Sequence, residues 1–262
     1  MDLEHVLYEK AEDAPLVTIT VNRPDKLNAL NHAVVADIHA AFVHAKQDPD
    51  CAVVILTGAG PKAFVAGADI GELAVMDVLG AKKISHAGQA ALAAIENLGK
   101  PVIAMINGYA FGGGLETALA CHMRTMAEGT QIGLPEVGLG IFPGFGGTQR
   151  LPRVIGRGRA LEMILTGDPV DAETALRYGL VNRVAPPDEL RAVTEKLARR
   201  ILMRGQIAVG LALESALRGN ETSIEEGLRI EADMFGLVAS TQDMREGLNA
   251  FLEKRKPEFT GE

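Results

Sequence analysis

Two glutamates stand where a carboxylate is expensive to keep. Glu116 closes Gly112-Gly113-Gly114-Leu115-Glu116, and Glu136 follows 20 residues later in Leu134-Pro135-Glu136, each inside an otherwise apolar, glycine-rich stretch. An ionised carboxyl there loses hydration unless it is paired or used, which makes both candidates for general acid and base work. Two segments could supply complementary electrostatics. Residues 63–71 (AFVAGADIG) carry Gly67 immediately before Ala68-Asp69, and residues 108–116 (GYAFGGGLE) place three glycines at the start of a helix. A helix N-terminus exposes unpaired N–H groups and the positive end of the dipole, which suit an anion or a developing oxyanion. Two such loops after neighbouring parallel strands could aim two N–H groups at one carbonyl oxygen, and two carboxylates beside it would suit proton transfer next to a thioester or ketone. The same residues admit plainer roles: the glycines as tight strand-to-helix turns, Glu116 as a helix-start acid, Glu136 as a surface carboxylate.

These residues need a scaffold, and the chain reads as one. Leu16–Val21 (LVTITV) has strand character and leads into the turn-forming Asn22-Arg23-Pro24-Asp25. Asn31 can cap a helix to about Lys46, with Val34, Val35, Ile38, Ala41 and Phe42 on one face. Residues 52–57 and 101–106 are apolar runs of strand length, and a helix is expected between Gly71 and about Asn97. That order signals βαβ units and a largely parallel sheet. A short helix from Gly112, extended pieces at 123–126, 130–134 and 180–184, and helices at 157–165 and 172–178 follow. Beyond about residue 185 the spacing is helical, as at Leu190, Val193, Leu197 and Ile201. The expected organisation is a core over 1–199 with a helical extension over 200–262.

Composition removes whole classes of function. The net charge is −8, with 26 Lys+Arg against 34 Asp+Glu and no basic run, which argues against nucleic-acid binding. No apolar run approaches the roughly 18 residues of a membrane span, and the charged opening MDLEHVLYEK is unlike a signal peptide, so a cytoplasmic protein without membrane contact is expected. Cys51 and Cys121 lack metal-ligand spacing and read as buried thiols; no metal site is expected. There is no Gly-x-Gly-x-x-Gly, no phosphate-binding Gly-x4-Gly-Lys-Ser/Thr, no Gly-x-Ser-x-Gly and no His-Glu-x-x-His. Glycine is in excess, at 29 of 262 residues, against a usual level of roughly 7%.

Taken in order, Asn22-Arg23-Pro24 with Leu27-Asn28-Ala29-Leu30, AFVAGADI, NGYAFGGGLE, LPEVGLGIFPGFGGTQRLPR, TGDPVDAETALRYGLVNRV and FLEKRKPEF resemble the crotonase, or enoyl-CoA hydratase/isomerase, superfamily along nearly the whole chain. The resemblance implies an α/β fold of the ClpP/crotonase type, a spiral of ββα units with a helical C-terminal trimerisation region. It implies that the main-chain N–H groups of Ala68 and Gly113 form an oxyanion hole for a thioester enolate. Glu116 and Glu136 then hold one water: Glu116 helps activate it for attack at Cβ, and Glu136 delivers a proton to Cα. The substrate-binding stretch would include Ala66, Gly67, Asp69 and Ile70. Backbone around Lys26, Leu27 and Ala29 would meet the adenine end of coenzyme A, with Lys26 and Lys62 near its phosphates and Lys254 a further contact, possible across a subunit boundary.

The implied activity is reversible hydration of a trans-2-enoyl-CoA, with acyl-CoA as the only small-molecule partner, no cofactor, and assembly as a homotrimer or a hexamer of two trimers. An enoyl-CoA isomerase or a specialised acyl-CoA dehydratase is the alternative. A non-enzymatic role, including RNA binding, is disfavoured by the charge and by retention of both glutamates. Two residues depart from the family pattern: Thr117 follows the first glutamate where an aliphatic residue is common, and His122 stands where Asp is common. His122 reads as structural, Tyr109 and Phe111 as packing residues.

Overall fold

Period-two alternation within the apolar strands produces two cores, one on each face of a single sheet. The computed structural model describes residues 3–262. Strands β1 (Val6–Lys10), β2 (Leu16–Val21), β3 (Val53–Gly58), β5 (Val102–Ile106), β7 (Met123–Ala127) and β10 (Arg183–Ala185) lie in that order. All neighbours are parallel except the antiparallel edge pair β1–β2. Val54 and Leu56 of β3, with Val102 and Ala104 of β5, face the larger core; Val53, Ile55, Ile103 and Met105 face the smaller one.

The larger core is covered by α1 (His32–Gln47), capped as expected by the Asn31 side chain on the Val34 amide, and by α3 (Val78–Glu96). The expected helix between Gly71 and Asn97 is interrupted: α2 (Ile70–Leu73) ends early, and α3 starts anew after Asp77, whose side chain caps the Gly80 amide. Helix α8 (Leu190–Leu202) closes the smaller core with Leu190 and Ala198.

Each central strand leads into a short partner strand in a second sheet. After β3 comes β4 (Ala63–Val65), after β5 comes β6 (Tyr109–Phe111), and after β7 comes β8 (Gln131–Gly133); the second sheet runs β4–β6–β8–β9, with β9 at Val170–Asp171. Helices α3, α4 (Gly113–Ala120) and α5 (Gly147–Ile155) follow these pairs. This is the expected spiral of ββα units. Asn107 ties two of its turns: its amide donates to the carbonyls of Gly58 and Gly60 at 2.9 and 2.7 Å, and its Oδ1 accepts from Thr57 and Gly58.

Helices α6 (Arg157–Thr166) and α7 (Ala172–Tyr178) complete the wall below the second sheet, and α9 (Gln206–Asn220), α10 (Ile224–Val238) and α11 (Gln242–Leu252) follow α8. The extended piece expected at 180–184 is a strand only from Arg183, because Leu180 and Val181 instead donate to Ala175 and finish the end of α7.

Candidate active site

The two glycine-bearing loops leave adjacent strands, but these are the short β4 and β6 rather than the long β3 and β5. β4 and β6 pair in parallel, with Val65 opposite Ala110. After β4 the chain turns at Gly67, where φ is +106°, and Leu30 docks alongside: Leu30 donates to the Gly67 carbonyl, and Asp69 donates to Leu30. This bridge uses the groups either side of Ala68 and leaves the Ala68 amide with no acceptor among the described residues. After β6 the chain turns at Gly112, φ +52°, and Gly113 becomes the first residue of α4. Its N–H is likewise unpartnered among the described residues, as expected for the first turn of a helix. Ala68 and Gly113 both line one cavity of about 830 Å³, within the roughly 300–1,000 Å³ typical of ligand sites.

Both glutamates reach that cavity. Glu116, one turn into α4, is 2% exposed, and its Oε1 accepts from the amides of Phe145 and Gly147 at 2.8 and 2.7 Å. Burial pushes its carboxyl from the ordinary 4.5 up to about 7; the nearby charge of Glu136 adds to the rise, while the Gly147 and Phe145 amides and Arg150 oppose it. Glu136 sits in a 3-10 turn, Pro135–Leu139, that follows β8. Its carboxylate lies against Gly112: a Cβ there would stand 2.9 Å from Glu136 Oε1. Glu136 Oε2 is buried without a hydrogen-bond partner among the described residues, and burial raises its pKa too. Two acids, both held toward their neutral forms, therefore face one cavity beside two free amides.

Ala66, Gly67 and Ile70 join the lining, together with Phe111. Asp69 does not: its side chain caps α2 at the Gly71 amide and lies 3.8 Å from Arg23. Lys26, Leu27, Ala29 and Lys62 also lie outside the lining. Leu27 nonetheless supports the loop, its carbonyl accepting from Ala66 at 3.0 Å, while the side chains of Lys26 and Lys62 are exposed. Lys254 is exposed in the turn that ends α11. Thr117 and His122 do not reach the cavity. Thr117 Oγ1 donates to the Gly113 carbonyl at 2.7 Å. His122 Nδ1 accepts from the Val102 amide, so Nε2 carries the proton and donates to the Glu96 carbonyl at 3.0 Å; burial lowers its pKa and the ring is a neutral structural link. Tyr109 and Phe111 stack at 5.4 Å between ring centres.

Sequence reasoning did not identify the amides of Phe145 and Gly147 as the partners of Glu116. The available signal was the run Gly144-Phe145-Gly146-Gly147, three glycines around one aromatic leading into the first residue of α5. Among the described residues no group of three or more His, Cys, Asp or Glu side chains is placed to hold a metal, and no helix is long and apolar enough to cross a membrane.

Comparison with known proteins agrees with this architecture. The enoyl-CoA hydratase/isomerase family model matches residues 11–262. A crotonyl-CoA hydratase from Syntrophomonas wolfei is 46% identical over 259 residues, covering 99% of both chains. A short-chain-enoyl-CoA hydratase from Clostridium acetobutylicum is 42% identical, covering 98% of both. The crystal structure of an enoyl-CoA hydratase from Bacillus anthracis superposes with a TM-score of 0.95 at 40% identity, covering 99% of this chain and 100% of that one. By motif order, by the spiral of ββα units and by matches along its whole length, this chain belongs to the enoyl-CoA hydratase/isomerase family.

Proposed function

We propose that this enoyl-CoA hydratase adds water reversibly and syn across a trans-2-enoyl-CoA, giving a 3-hydroxyacyl-CoA, and that Ala68, Gly113, Glu116 and Glu136 carry the reaction. The observation that bears most weight is the convergence of two unpaired amides, the buried Glu116 carboxylate and the half-buried Glu136 carboxylate on one cavity. The thioester oxygen accepts from the Ala68 and Gly113 N–H groups, which strengthen their hold as the enolate charge develops. Water held between the carboxylates loses a proton to Glu116 as its oxygen attacks Cβ, and Glu136 supplies a proton to Cα from the same face. One proton and one hydroxyl are moved and no electrons are transferred, so the reaction as proposed calls for no redox group.

The names carried by the Syntrophomonas and Clostridium relatives support a short acyl chain. We assign coenzyme A recognition to the surface beside the Ala66–Ala68 loop, with main chain of Lys26, Leu27 and Ala29 meeting the adenine and the amines of Lys26 and Lys62 meeting its phosphates. Mixing purified protein with crotonyl-CoA should lower the absorbance of the conjugated thioester until the hydration reaches equilibrium. No loss at high protein concentration would overturn the hydratase reading.

The same assay against pH reads Glu116 directly. The base must be ionised, so with its pKa near 7 kcat/KM should fall about tenfold per pH unit below that point. An acid limb in the ordinary glutamate range would contradict the assignment.

The C-terminal helices expose large apolar side chains: Ile224 is 80% exposed, Phe235 71%, Phe251 82% and Leu252 77%. Such a surface is covered in a working protein more often than it is left bare. We propose that other copies of the chain cover it, as a homotrimer or a pair of trimers. Sedimentation equilibrium should return three or six times the 27.8 kDa chain mass; a stable 27.8 kDa species at micromolar concentration would refute the assembly.

A further inference from the structure

The loop that holds Glu116 is itself gripped from behind. Phe145 and Gly147 donate to the carboxylate, and on the opposite side of the same backbone the Gly144 carbonyl accepts from Ser85 Oγ at 2.6 Å and from Gln89 Nε2 at 3.1 Å. Gln89 Nε2 also donates to Ser85 Oγ at 3.1 Å, so the two α3 side chains form one clamp. A trans peptide is planar, with its C=O and N–H pointing in opposite directions. The plane joining Gly144 to Phe145 therefore cannot hold its oxygen toward α3 without aiming its N–H away, at Glu116. Gly144 supplies one of the two torsions on which this plane turns, and glycine leaves such a rotation cheap unless something fixes it. Arg150 fixes the next plane, donating to the Phe145 carbonyl at 3.0 Å while held by Glu96 at 2.8 Å.

We propose that Ser85 and Gln89 are positioning residues for Glu116, orienting the Phe145 amide, and through it the carboxylate, for the attack of water. The proposal rests on the reading of Glu116 as the water-activating base. It makes α3, which lines the acyl cavity, part of the support of the catalytic group. The other charges acting on Glu116 are Glu136, from the turn after β8, and Arg150, from α5; the clamp substitutions remove neither.

The test compares wild type, Ser85→Ala/Gln89→Ala, Ser85→Thr and Glu116→Gln on crotonyl-CoA as a function of pH. Losing the clamp weakens a hydrogen bond to the ionised form, which raises the pKa of the base, so the acid limb of kcat/KM should move to higher pH by on the order of half a unit. kcat should fall about tenfold, as expected for roughly 1.4 kcal/mol, with a melting temperature close to wild type. Ser85→Thr keeps a hydroxyl and should retain both limb and rate. A fall in rate or a rise in KM with the acid limb unmoved would place Ser85 and Gln89 against substrate or in packing alone, and would overturn the proposal. Should the double variant be unstable, Ser85→Ala is judged by the same limb. Wild-type turnover in Glu116→Gln would instead remove the reading on which the proposal stands.

Discussion

Glu136→Gln and Glu116→Gln should each lower kcat by about 10²–10⁴-fold, the usual cost of losing a positioned acid or base, which is about 3–5 kcal/mol of transition-state stabilisation. Gln preserves the shape of Glu and cannot take or deliver the proton. At position 116 its carbonyl oxygen can still accept from Phe145 and Gly147, so the loop keeps its anchor. Both native carboxyls are destabilised by burial, and Glu116 further by the charge of Glu136. Removing either charge relieves that cost, so neither variant should melt below wild type near neutral pH. Melting at or above wild type with turnover lost would separate a chemical role from a structural one. Stopped-flow or steady-state hydration of crotonyl-CoA, paired with thermal melts, gives both readings. Near-wild-type turnover in either variant would strip that residue of its role.

The parts of this molecule that follow from local chemistry were readable without coordinates. The β2 and β3 runs, the Asn31 cap and the inward face of α1 all come from side chains whose preference and environment agree. Elements that exist because of a distant partner were not. β4, β6 and β8 are three residues each, too short to carry a periodic signal, and become strands because they pair with one another. β1 reads as a charged opening, yet it closes the sheet edge through all five of its residues. Helix α5 contains Pro152, a residue that argues against helix in any local reading. The site divides in the same way. Glu116, Glu136 and the two glycine turns stand out because carboxylates and glycines are conspicuous in apolar sequence. Ser85 and Gln89 carry no such signal: a serine and a glutamine four residues apart on a helix are ordinary until Gly144 is brought against them from 59 and 55 residues away.

Gly114→Ala should cost more than its single methyl suggests, because α4 sits on β4 at that point with no room for a side chain. A Cβ on Gly114 would overlap the carbonyl oxygen of Val65 and stand 2.8 Å from its carbon. The obstacle is strand backbone, at the end of β4 where Val65 pairs with Ala110 of β6, so it cannot rotate aside as a side-chain tip would. Either α4 backs away or β4 is displaced, and each response changes the separation of the Ala68 amide, which follows β4, from the Gly113 amide, which opens α4. Overpacking of this kind costs about 1–3 kcal/mol of stability, and misplacing an oxyanion donor costs about 10²–10³-fold in kcat. Gly158→Ala is the matched control: it lies in α6 with open space at its Cβ, and Ala should be neutral or stabilising there by about 0.5–1 kcal/mol. Thermal melts and crotonyl-CoA hydration on the pair distinguish a general intolerance of glycine replacement from a requirement at this one contact. If Gly114→Ala keeps both its melting temperature and its kcat, the close approach of α4 to β4 does not set the spacing of the two amides.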